Sequence, residues 1–201
     1  FNGSAEFVNH LAIAITAVVF NRSGLLVAGE EGVAAVSIIM YLQFLCIWIY
    51  FGFSMRLATP LRYAYGDRNF SVCRVLEKYA YRFFSIAPII LYGCTYLLAP
   101  IGVRFFASPG STVFDMAVSG LRLYGLGFLF SGINIFAAIR MMTYGKGYIS
   151  GMITFLRSFA LLLLFLTILP RFLELNGIWL AVPGAEILTL IVALWTLRKK
   201  L

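Results

Sequence analysis

The chain has 201 residues, of which 62% are hydrophobic and only 12% charged, and its mean hydropathy is +0.93. A soluble domain of this length could not bury so much apolar surface, so the composition excludes a soluble globular protein and favours a lipid bilayer as partner. The net charge of +8 does not indicate nucleic acid as a partner, because the basic residues lie between apolar runs rather than in one patch.

Six apolar runs are long enough to cross a bilayer, which takes about 20 residues. In chain order they cover approximately residues 5–27, 33–57, 79–101, 115–142, 148–170 and 177–197. Helices are expected because lipid offers no partners for exposed backbone groups, and the run 161–166 lacks the alternation of a β-barrel strand. No linker divides the spans. The sequence therefore predicts an all-α membrane protein, a six-transmembrane-helix bundle forming one domain over residues 1–201. Since position 1 is Phe, we expect a fragment of a longer protein.

Every second connection between spans is basic. The residues concerned are Arg62, Arg68, Arg74, Lys78 and Arg82 after the second span, Lys146 after the fourth, and Arg198, Lys199 and Lys200 at the end. Basic connections face the cytoplasm, so we expect a multi-pass protein of the cell (plasma) membrane with both termini of the segment cytoplasmic. The polar stretch 59–78 carries regularly placed apolar and aromatic residues, which predict a short interfacial helix.

Motifs of soluble enzymes are missing. The sequence contains no phosphate-binding loop, no HExxH and no GxSxG. Its three cysteines, Cys46, Cys73 and Cys94, do not have CxxC spacing, so neither a disulfide nor a metal site is predicted. We therefore predict a protein that is not an enzyme and has no cofactor.

The first span contains polar residues at helical spacing. Glu6, Asn9 and His10 lie at i, i+3 and i+4 and so share one face of a helix. A carboxylate, an amide and an imidazole together could bind Na⁺ or pass protons. The alternative is that Glu6 lies in the first helical turn, where its charge complements the helix dipole.

The sixth span holds a second carboxylate, Glu186, three residues after Pro183. Pro183 removes a backbone hydrogen bond and can free the carbonyl of Trp179, which predicts a kinked, partly unwound helix beside a cavity. The alternative is a structural kink in which Glu186 bonds to Arg157 or to a tyrosine.

The fourth span is rich in glycine and serine, which indicates close helix packing. Asn134, near the middle of that span, needs a partner because a lone amide is costly in lipid. Arg56 and Arg140 lie near span ends, where snorkelling is expected. Arg157 lies deeper and is expected to pair with an acid or to cap carbonyls, rather than to contact a substrate directly.

A series of short matches runs through the chain in order. They are residues 3–7 (GSAEF), 20–21 (FN), 29–35 (GEEGVAA), 52–54 (GFS), 60–61 (PL), 65–69 (YGDRN), 128–134 (FLFSGIN), 145–146 (GK), Arg157 and 177–186 (GIWLAVPGAE). In these the chain resembles the second half of a MATE (multidrug and toxic compound extrusion) transporter. The resemblance implies helices seven to twelve of a twelve-helix protein, with an N-terminal lobe as partner.

The resemblance also implies a function, a secondary antiporter that exports organic, often cationic, compounds in exchange for Na⁺ or H⁺. Glu6 matches the family's acidic position in helix seven, whereas Gly132 and Asn134 stand near the place of an aspartate in helix ten. We count Glu6, Asn9, His10, Asn134 and Glu186 as candidate cation- or substrate-binding residues. The alternatives are a lipid-linked oligosaccharide flippase of the same superfamily and a non-transporting membrane-embedded subunit.

Overall fold

The computed structural model describes the backbone of residues 2–198 and the side chains of residues 14–198. Over this range the chain is helical and has no strand. The helices are α1 (Asn2–Gly66), α2 (Phe70–Val103), α3 (Thr112–Tyr124), α4 (Phe128–Thr143), α5 (Gly147–Phe155), α6 (Leu161–Ile168) and α7 (Pro170–Arg198). A 3-10 turn, Gly125–Gly127, joins α3 to α4, and a π-helical turn, Leu156–Ala160, joins α5 to α6. Within the described residues, five continuous helical segments are long and apolar enough to span a membrane.

The long helix α1 reverses direction near its middle. Ala28 and Gly29 have non-helical backbone angles, and Gly29 has φ +63° and ψ −151°, a combination open essentially to glycine. In a straight helix Gly24 and Gly32 would be about 12 Å apart. Instead a Cβ on Gly24 would lie 3.1 Å from the carbonyl carbon of Gly32. The chain therefore folds back on itself, between the first and second predicted spans.

A second reversal divides α7. Glu174 has φ 49° and ψ −128° and is the residue of α7 with non-helical angles. A Cβ on Gly177 would lie 2.6 Å from the backbone nitrogen of Pro170, so the chain folds back here as well. This break lies between the fifth and sixth predicted spans. Both reversals need a glycine where the two arms touch.

Two details of the sequence prediction were wrong. Residues 59–78 form no separate interfacial helix, since α1 continues to Gly66 and α2 begins at Phe70. The Asn69 side chain accepts a hydrogen bond from the Val72 amide (3.3 Å) and so starts α2 at once. In addition, the partial unwinding predicted at Pro183 is not observed, because α7 keeps helical backbone angles through this residue. The irregular helical segment beside Glu186 is instead the π turn Leu156–Ala160, which joins α5 to α6.

The helix α4 lies in the core, with most of its residues buried. Small residues allow this, as predicted. A Cβ on Gly132 would lie 2.7 Å from the Phe84 ring, and one on Gly120 would lie 2.7 Å from both Ile39 and Trp179. Many large side chains on α1 and α2 are exposed, which suits helices that face lipid.

Candidate functional site

A cavity of about 350 Å³ lies between both arms of α1, the α3–α4 region, the π turn, α6 and α7. Its walls are mostly apolar, with aromatic rings such as Phe20, Phe44 and Phe128. The polar residues that line it are Thr16, Gln43, Tyr124, Ser131, Arg157, Ser158 and Glu186. An apolar cavity with a few convergent polar groups has the character of a small-molecule site.

The charged part of this cavity is an ion pair between Arg157 and Glu186. Nη2 of Arg157 lies 2.5 Å from Oε1 of Glu186, and Nε lies 3.1 Å from Oε1 and 3.4 Å from Oε2. The side chain of Glu186 is 5% exposed and that of Arg157 is 17% exposed. Both residues line the cavity, and the arginine is the more accessible member of the pair. This pairing was one of the two interpretations of Glu186 drawn from the sequence, and it is confirmed.

Asn134 holds the other side of the same carboxylate. Its Nδ2 donates to Oε2 of Glu186 (2.7 Å) and to the Glu186 carbonyl oxygen (2.9 Å), and the residue is fully buried. The predicted partner of Asn134 is therefore Glu186, which lies 52 residues away in the sequence. The amide positions the carboxylate and does not itself line the cavity.

The π turn places Arg157 against Glu186. Its five residues, Leu156–Ala160, are wound more widely than an α-helix, and turns of this kind occur frequently at functional sites. The Ser158 carbonyl accepts a hydrogen bond from the Thr16 hydroxyl (3.3 Å), which ties the turn to the first arm of α1. No residue type in this stretch signals a π turn, so the sequence did not predict it.

Gln43 and Tyr124 form a second polar pair on the cavity wall. The Tyr124 hydroxyl donates to Oε1 of Gln43 (2.5 Å), and the Gln43 amide group donates to the sulfur of Met40 (3.3 Å). Nearby, the Tyr50 hydroxyl donates to the Phe128 carbonyl (3.0 Å), at the start of α4. Gln43 was not among the residues predicted from the sequence, although an amide within an apolar run is a signal of the same kind as Asn134.

A second buried cluster lies away from the cavity and joins α2, α4 and α7. Nε of Arg140 bonds to Oε1 of Glu77, the Tyr144 hydroxyl donates to the same oxygen (2.6 Å), and Nη1 of Arg140 reaches the Thr196 carbonyl (3.4 Å). Burial, followed by the hydrogen bond to Glu77, raises the pKa of the Tyr144 phenol above its usual value. Arg140 is 3% exposed, so the expected snorkelling was wrong for this residue.

The structure tests some of the site residues predicted from the sequence and not others. Asn134 and Glu186 meet in one hydrogen-bonded group beside the cavity. Glu6, Asn9 and His10 lie outside the residues whose side chains the structure describes, so their proposed face stays a prediction. Arg56 is exposed on α1 and does not line the cavity.

No family model and no curated protein matches this sequence. Among solved structures, similarity is found to a MATE transporter in complex with MaL6 (TM-score 0.87, 21% identity). Another is the outward-facing conformation of a multidrug resistance MATE family transporter of the MOP superfamily (TM-score 0.86, 22% identity). A third is a MOP superfamily transporter from Pyrococcus furiosus, described as having a binding pocket of reversed polarity that suggests a different function (TM-score 0.86, 21% identity).

Each match covers 96% of this chain and 44% of the solved chain. The chain thus has a fold found in multi-pass membrane transporters, and it spans less than half the length of the proteins it matches. More narrowly, its fold is that of one half of a MATE transporter, as the resemblance in the sequence implied.

Proposed function

We propose that this chain is one lobe of a secondary active transporter that exports organic compounds across the plasma membrane in exchange for Na⁺ or H⁺. The observation that supports this most directly is the cavity, which joins apolar, partly aromatic walls to the Arg157–Glu186 pair. Such a cavity holds an organic molecule by its apolar body and orients it by its polar end. Its partners in this proposal are the bilayer, the substrate and a second lobe. Glu6, Asn9 and His10 are proposed for the coupling ion.

The distribution of arginines favours an exporter of small molecules over a lipid-linked oligosaccharide flippase. A pyrophosphate calls for several arginines in the cavity. The arginines considered above are Arg56, Arg140 and Arg157. Only Arg157 of these three lines the cavity, because Arg140 binds Glu77 and Arg56 is exposed elsewhere on α1.

Filling the cavity is expected to stop transport. Ala17 lines it, and in the full-length protein that carries this chain Ala17→Trp should lower the rate of substrate efflux about tenfold or more, because the indole would occupy space that the substrate needs, and losing about 1.4 kcal/mol of binding is a factor of ten. Efflux from cells, normalised to protein at the membrane, measures the effect. Ala14→Trp is the matched control, because Ala14 is exposed on the same arm and does not line the cavity. Equal efflux by the two variants would contradict a role for this cavity.

The proposed orientation has a separate test. We expect Ser108 to face the outside and Ser71 the cytoplasm, because the connection containing Ser71 is basic. Both residues are exposed. Cysteine introduced at each position, in a protein lacking Cys46, Cys73 and Cys94, should react with an impermeant thiol reagent in intact cells only at position 108. Labelling at position 71 alone would show that the chain has the opposite orientation in the membrane.

A further inference from the structure

Among the charged and amide groups that line the cavity, more hydrogen-bond donors than acceptors remain free. Glu186 engages Nε and Nη2 of Arg157, and within the described part of the chain Nη1 has no protein partner. Gln43 gives its oxygen to Tyr124 and keeps an amide group whose contact is a thioether sulfur, a weak acceptor. One edge of a guanidinium and one amide group are therefore available to donate.

Both oxygens of the Glu186 carboxylate, the strongest acceptor lining the cavity, are already engaged. Oε1 of Glu186 receives both Arg157 nitrogens, and Oε2 receives Nδ2 of Asn134. A cationic ligand would have to compete with Arg157 for this buried carboxylate, and a displaced guanidinium would be left without its charged partner. An anionic ligand displaces nothing, because it can bind the free edge of the arginine.

We propose that the cavity selects organic acids, that is, molecules with an apolar body and a single anionic group such as a carboxylate. Arg157 binds the anionic group, Gln43 donates a second hydrogen bond, and the rings of Phe20, Phe44 and Phe128 enclose the apolar body. One free guanidinium edge provides enough donors for one carboxylate but too few for a pyrophosphate. The proposal rests on the proposed transport function, and it replaces the cationic preference that the family resemblance implies by an anionic one.

Three probes with the same apolar body separate the alternatives. They are 2-naphthylacetate, 2-naphthylacetamide and 2-naphthylethylamine, which are anionic, neutral and cationic at neutral pH. Binding to the full-length protein in nanodiscs of neutral lipid is measured by calorimetry. The acetate should bind roughly tenfold more tightly than the acetamide, as expected for a charge-assisted hydrogen bond, and the amine should bind most weakly. Tightest binding of the amine, or equal binding of all three probes, would overturn the proposal.

Variants at the ion pair assign the preference to this cavity. Arg157→Gln should make acetate and acetamide bind equally, while Arg171→Gln, at an exposed arginine of α7, should leave the preference unchanged. Glu186→Gln removes the competing anion and should tighten acetate binding several-fold without changing acetamide binding. If Arg157→Gln does not fold, as judged by gel filtration, the Glu186→Gln result decides alone. An unchanged or weakened acetate affinity in that variant would count against Arg157 as the ligand-binding group.

Uptake into proteoliposomes separates this inference from the transport function. An anion preference without any ion-driven movement of the probes would contradict transport and leave the ligand class supported. Ion-driven movement of the naphthylethylamine alone would support transport and overturn the ligand class.

Discussion

Replacing Arg140 by methionine is expected to lower the free energy of unfolding by about 3–5 kcal/mol, because the buried carboxylate of Glu77 is then left without its charged partner. Glu77 is 7% exposed and Arg140 is 3% exposed, so water can replace little of the lost interaction. Tyr144 would still donate to Glu77, yet a neutral donor does not balance a buried charge. Equilibrium unfolding in mixed micelles, followed by tryptophan fluorescence, measures the change.

Two further variants show whether the effect comes from the uncompensated charge. The double variant Glu77→Leu with Arg140→Met should recover most of the stability, because replacing a buried pair by apolar residues of similar volume is often neutral. Arg62→Met removes an exposed arginine and should stay within about 0.5 kcal/mol of the parent. A double variant as unstable as Arg140→Met alone would mean that the packing of the long arginine side chain, rather than charge balance, explains the loss.

Gly177→Ala is expected to lower the free energy of unfolding by about 3 kcal/mol, a large effect for one methyl group. The added Cβ would meet the backbone of Leu169 and Pro170 at the second reversal, at 2.6 Å from the Pro170 nitrogen. Backbone atoms cannot move aside as the end of a flexible side chain can. The arms of the reversal would have to separate, and the packing of α7 on the core would be disturbed.

Gly151→Ala is the matched comparison and should have the opposite sign. Gly151 lies within α5, and a Cβ there would meet no atom within 4 Å. Alanine should therefore raise the free energy of unfolding by about 0.5–1 kcal/mol, because it restricts the unfolded chain and favours helix. The same unfolding titration checks both variants, and equal stability of the two would contradict the close contact at Gly177.

The helical spans could be predicted from the sequence because a bilayer leaves a long apolar run few alternatives. The predicted fourth span, 115–142, lies within the continuous helical stretch Thr112–Thr143, and both gaps predicted near residues 30 and 174 coincide with chain reversals. The polar stretch 59–78 was predicted wrongly because its amphipathic pattern is the same for an interfacial helix and for the ends of two longer spans. The spacing of apolar residues indicates a helix, but it does not indicate the residue at which one helix ends and the next begins.

The site was predictable only in part. Glu186, Asn134 and Arg157 stood out because charged and amide side chains are costly in lipid. The pairing of Glu186 with Arg157 was one of the alternatives that this cost left open. The pair formed by Glu77 and Arg140 was not predicted, since its members are 63 residues apart and each could equally have faced water. The π turn depends on the packing around it, and local composition does not reveal it.

The two reversals restrict how this lobe can move. A hinge consists of residues that change φ and ψ while the packing around them persists, yet each reversal is completed within one or two non-helical residues. At Gly32 and Gly177 there is no space even for a methyl group between the touching arms. Each pair of arms is therefore rigid. The longest non-helical stretch in the described part of the chain is residues 104–111, so a shift of one helix relative to the next is accommodated more readily there than at either reversal.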